Sequence, residues 1–252
     1  MAYKDQQPTL LGFVCSPFVD KITRKPLFGS PYARAVDILG VEAQLYSIGA
    51  ALGHALRNKL DTLVKLLFVP GTEKQKVNEV LRLCKNDVEK NLKEFRDEFG
   101  QEPDTFDDFA FYWWIGNLVK TAGIRLSPRE AFKAYLSGDR KVKRLFDRKV
   151  DTEGMGQQIM TMLLEGIYFG STFPKLTEKM YQNAYDDDKD FLIGPEFHGL
   201  TISEKLRVKS LEETERAVLQ IMAVYASKYY PELIDPLGLM GFLQPSKSRE
   251  QK

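Results

Sequence analysis

TEKQKVNEVLRLCKNDVEKNLKEFRDEFG, residues 72–100, carries the pattern that decides the fold class. Thr72-Glu73-Lys74-Gln75 has the form of a capping box, in which the Thr hydroxyl serves the N–H three residues on and the Gln side chain reaches back. From there Val77, Val80, Leu81, Cys84, Val88, Leu92, Phe95 and Phe99 recur at spacings of mainly three and four. That is one apolar stripe with charge on the other face, the signature of a surface helix lying on a core. Gly100 stands where a left-handed C-cap is wanted. Cys84, inside the stripe, reads as a buried small hydrophobe rather than a nucleophile.

The same punctuation recurs in both directions. Ser30-Pro31 opens a helical segment that reaches about Phe68, with a break near Asn58, and Pro70-Gly71 stops it. Thr105-x-x-Asp108 opens a helix toward Gly123, Ser127-Pro128-Arg129-Glu130 one that closes at Gly138, and Asp139 caps a short basic helix to about Lys149. Thr152 starts a helix through Gly170, and Pro174 sits in the first turn of one ending by Tyr185. Thr201-x-x-Glu204 and Ser210-x-x-Glu213 mark a last long segment that Pro231 terminates. No alternating β-branched run lies between turn dipeptides. The expected fold is therefore all-α, a bundle of roughly seven to nine helices over residues 31–230, with a lobe boundary near 100–105. Residues 1–30 read as an extended apolar arm, broken by Pro8, Pro17 and Pro26, and residues 231–252 as an irregular apolar tail.

Composition narrows the function classes. The 252 residues are 43% hydrophobic and 28% charged, which excludes a disordered, collagen-like or disulfide-scaffold chain. The longest uncharged runs, Gln6–Val19 and Ala43–Leu56, each have 14 residues, short of the roughly 18–20 a spanning helix needs. Residues 1–8 lack a signal or transit pattern. Two cysteines fit a reducing aqueous compartment such as the cytoplasm. With two His, a three-histidine zinc site is excluded within one chain. Neither G-x-S-x-G, a P-loop, H-E-x-x-H nor C-x-x-C occurs, and Gly154-Met155-Gly156 lacks the third glycine of a dinucleotide loop.

Four features remain. Gly49-x-x-x-Gly53 and Gly166-x-x-x-Gly170 each lie in an apolar helix, where a glycine costs about 1 kcal/mol relative to alanine. Either the two helices cross at short distance, or the bare faces line a pocket for a tetrapyrrole, lipid or other apolar small molecule. His54 continues a small-residue stripe of Ala43, Ser47 and Ala50. It is a core histidine held by a carbonyl or carboxylate, or an axial ligand or acid–base group of that pocket. Glu165, the sole charged residue between Glu153 and Lys175, is expected in solvent, or facing His54 if the glycine helices cross. Second, Asp186, Asp188, Asp190 and Glu196 echo an EF-hand loop. Phe191 stands where its glycine belongs, and an exposed acidic loop is the plainer reading.

Third, residues 137–150 carry six bases against two acids. Arg140, Lys141, Arg144 and Arg148 form a stripe that could clamp an anion or simply be solvated. Residues 186–196 (five acids, one base) and 93–108 (seven acids, two bases) offset it, so the net charge of +1 is a cancellation. Fourth, Phe106, Phe109, Phe111, Tyr112, Trp113 and Trp114 crowd one helix, with Phe109 and Trp113 expected in the core and Tyr112 or Trp114 partly exposed. Acidic neighbours make nucleic acid an improbable partner. The resulting expectation is a non-enzymatic helical protein acting through contact with another protein or with a second copy, as an assembly subunit, adaptor or accessory factor. The rival is a helical pocket protein, carrier or enzyme, with its ligand between the glycine helices.

Overall fold

The computed structural model describes residues 44–67, 74–106, 108–109, 112, 123–127, 130–131, 134, 137–142, 155–185 and 210–243. Among them every regular element is helical and no strand occurs. The arm over residues 1–30 lies outside the described residues, as do Ser30-Pro31, Thr72, Thr152, Thr201 and the tryptophans Trp113 and Trp114.

Local signals account for most helix ends. α1 occupies residues 44–55 and α2 Leu60–Leu67. A 3-10 turn over Arg57–Lys59 divides them, with Asn58 at its centre, at the expected break. α3 spans Lys74–Phe99 and stops at Gly100, whose φ of 71° and N–H to the Arg96 carbonyl (2.8 Å) form the left-handed cap. Thr105 Oγ1 accepts from the Asp108 N–H at 3.1 Å, starting the aromatic helix at Phe106. Ser127 and Glu130 make the reciprocal pair of a capping box, at 3.2 and 2.9 Å. Asp139 Oδ1 accepts from the N–H groups of Lys141 and Val142.

α4 (Met155–Thr172) and α5 (Pro174–Tyr185) are separated by Phe173 alone, with proline at the first position of the second helix. α6 (Leu211–Tyr229) begins at Ser210, whose Oγ accepts from Glu213 N, and ends before Pro231. The tail departs from the irregular segment expected of it. It folds as a 3-10 turn at Pro231–Leu233, α7 at Ile234–Leu237 and a second 3-10 turn at Met240–Phe242. Single turns leave no period to read, whereas Pro231 and the left-handed Gly238 (φ 71°) set their ends. Ile234, Leu237 and Leu239 are buried, so the tail is part of the core to Leu239.

The stripe of α3 faces inward as its spacing predicts: Cys84, Val88, Leu92 and Phe95 are buried and pack chiefly toward α4. The deepest layer is aromatic. Tyr46 from α1, Phe169 from α4, and Phe106 and Phe109 from the acidic–aromatic segment meet at ring-centroid distances of 5.5–6.0 Å. Phe109 is in the core as expected; Tyr112 is buried too, against Phe95 and Phe99. Asn183 of α5 donates to the Asp104 carbonyl (3.1 Å) and Lys179 pairs with its carboxylate (3.2 Å), tying residues near the expected lobe boundary to α5. No helix among the described residues is long and apolar enough to cross a membrane.

Candidate functional site

The two glycine motifs are brought together. A Cβ built on Gly49 would sit 2.3 Å from the Leu163 carbonyl oxygen, and one on Gly53 2.0 Å from that of Ile167. In the other direction Gly166 meets the Tyr46 oxygen at 2.2 Å and Gly170 the Ala50 oxygen at 1.9 Å. A step of four residues on α1 is matched by a step of four on α4 in the same sense. The helices therefore cross in parallel, backbone on backbone, over two turns. This is the close crossing, and it corrects the pocket alternative at these positions: the space a flat or acyl ligand would take is filled by the opposite main chain.

His54 lies at the far end of α1, where α5 and α6 converge on it. Its Nδ1 is 2.6 Å from Glu215 Oε1 of α6 and its Nε2 3.1 Å from Glu178 Oε1 of α5. Carboxylates only accept, so a neutral ring donates to one of them and an imidazolium to both. Both nitrogens are engaged, which leaves neither pointing at a ligand. Beside it, Tyr181 donates to the Ser47 carbonyl at 2.7 Å and shares a hydrogen bond with Ser47 Oγ at 2.8 Å. The group is a polar seam joining three helices. Replacing His54 by alanine is expected to lower unfolding free energy by about 1–2 kcal/mol. Glu215→Gln should cost more than Glu178→Gln, because the Glu215 side chain is 22% exposed and that of Glu178 58%. An exposed partner is worth well under about 1 kcal/mol. Urea unfolding of the three variants at one pH checks the order.

Glu165 differs from both expectations, solvent and His54. It is fully buried, near Tyr46 and Cys84, whose ionisation it opposes. The register of the crossing explains this: the Gly166 level of α4 is opposite Tyr46, about two turns of α1 before His54. Burial, with Glu165 and Asp87 nearby, pushes the Cys84 thiol up to about 12, so it stays protonated and unreactive. Burial likewise holds the Tyr46 phenol well above its usual range.

Of the anion-binding stripe, Arg140 and Lys141 are exposed at the start of a helix whose N-terminal N–H groups Asp139 already occupies. Arg144 and Arg148 lie outside the described residues, as do the candidate metal ligands Asp186, Asp188, Asp190 and Glu196. Among the described residues no group of three or more His, Cys, Asp or Glu is placed to hold a metal ion.

The surface adds a feature that the sequence reading passed over. On the outer face of α6, Ile221 is 41% and Val224 56% exposed, while Val218, Met222, Tyr225 and Ala226 are buried. The available signal was a run of eleven residues, Ala217 to Ser227, without a charge. One side of that run is core; the outer side of a surface helix is ordinarily charged. Compared with protein-family models, curated proteins and solved structures, the chain has no match.

Proposed function

We propose that this chain works through protein–protein contact, as a helical assembly or adaptor subunit, and that the outer face of α6 is its contact surface. The observation that carries the reading is the exposure of Ile221 and Val224 in a helix that bears no charge from Ala217 to Ser227. Water-facing branched side chains one turn apart gain about 25 cal/mol for each Å² of apolar surface a partner covers. Depletion of charge at the centre of a patch with charge at its rim is the composition of an interface. Support also comes from the interior: the four glycines and both nitrogens of His54 are taken up by packing and hydrogen bonding within the chain.

A photo-crosslinking residue placed at Val224 in the full chain, in cells of its source, tests this. The expected result is a discrete protein adduct that is missing when the probe stands at Glu79 on the exposed face of α3, and that Ile221→Lys abolishes. An adduct pattern the same at both positions, or none at Val224, rules the surface out.

A further inference from the structure

The α6 face is complementary to itself, and we infer that its occupant is a second copy of this chain, the two α6 helices packing antiparallel about a two-fold axis between Ile221 and Val224. This rests on the contact role proposed for α6 and names the partner.

Ala217, Ile221, Val224 and Lys228 are spaced four, three and four, a narrow seam along a helix. Glu213 stands one turn before Ala217. An isologous contact sets each position against another on the same helix read backwards. With the axis between Ile221 and Val224, Ile221 of one copy lies beside Val224 of the other, twice. That makes a central cluster of four branched side chains, all now exposed. Ala217 then faces Lys228, and its small side chain leaves a groove for the lysine stem. The ammonium is carried past it toward the Glu213 carboxylate of the other copy. Within its own chain Glu212 pairs with Arg216 at 3.4 Å, and Lys228 lies 5.1 Å from the centre of the Tyr229 ring. Charge at each end of the seam is therefore of opposite sign, as an antiparallel pairing requires. A parallel pairing would set Glu213 against Glu213 and Lys228 against Lys228.

The seam is about three turns long, so the covered area falls at the low end of specific interfaces, and a dissociation constant on the order of 10 μM is expected. Sedimentation of the full chain from about 1 to 200 μM reads it. A concentration-dependent dimer is expected, weakened at least tenfold by Val224→Glu, whose helix content should be unchanged because the position is exposed. Glu213→Lys and Lys228→Glu should each weaken it about tenfold. The two together, restoring both contacts with signs exchanged, should bring it back to within about threefold of the original. A dimer indifferent to Val224→Glu, or a double charge exchange no better than its singles, overturns the pairing. A monomer throughout overturns it as well. If the Val224 probe then still captures a different protein, the contact role survives without self-pairing; a monomer with no adduct removes both.

Discussion

Alanine at Gly170 or Gly53 is expected to lower unfolding free energy by about 2–3 kcal/mol, although alanine is the better helix former by about 1 kcal/mol. The sign is decided by what the new methyl meets. At Gly170 it would lie 1.9 Å from the carbonyl oxygen of Ala50, at Gly53 2.0 Å from that of Ile167. These are backbone atoms within helices and have no rotamer by which to yield. The helices must part by roughly 1.5 Å along the crossing, and dispersion contacts over both turns weaken together. The loss is then shared, not local. Gly53→Ala combined with Gly170→Ala should cost clearly less than the sum of the two, since parting the helices for one methyl makes room for the other. Gly241→Ala is the control: no atom lies within 4 Å of its added Cβ, and the change should stay within about 0.5 kcal/mol. Urea titrations followed by circular dichroism measure all four. A Gly170→Ala protein as stable as the parent would mean that the backbones are not in contact.

That crossing also shows how far the sequence reaches. Four helix-interior glycines at matched spacing imply close approach, and the caps at Thr105, Ser127, Asp139 and Ser210 are local enough to be read by eye. The all-α class follows from the same local signals. What surrounds His54 does not. Its partners stand 124 and 161 residues away, and nothing in a single sequence couples those positions. Glu165 is harder still. A lone acid on an apolar helix is ordinarily exposed, and only the register of the crossing places it with Tyr46 and Cys84 in the interior. For α6 the run without charge was visible, but half of any such run is core. Which residues are left over on the outside becomes clear only once Val218, Met222 and Tyr225 are seen facing in.

Phe169→Ala is expected to cost about 3–5 kcal/mol, more than either glycine change. Phe169 is wholly buried, and its ring has Tyr46, Phe106, Phe109 and Phe173 at 5.4–5.9 Å. Its ring thus reaches α1, the segment at residues 106–109 and the junction of α4 with α5. Truncation removes the transfer free energy of a phenyl group and leaves a cavity whose lining cannot collapse. The lining is rigid because the same turn of α4 carries Gly170, fixed against Ala50. That makes a distinction available. Phe169→Leu keeps most of the volume and should recover about half of the loss. In a Gly170→Ala background, where the helices have already parted, Phe169→Ala should cost less than it does alone, because part of its packing is gone beforehand. Equal costs in the two backgrounds would show that the glycine crossing and the aromatic layer stabilise the protein independently. A coupling of about 1 kcal/mol would show that the crossing works by setting the depth at which Phe169 enters the layer.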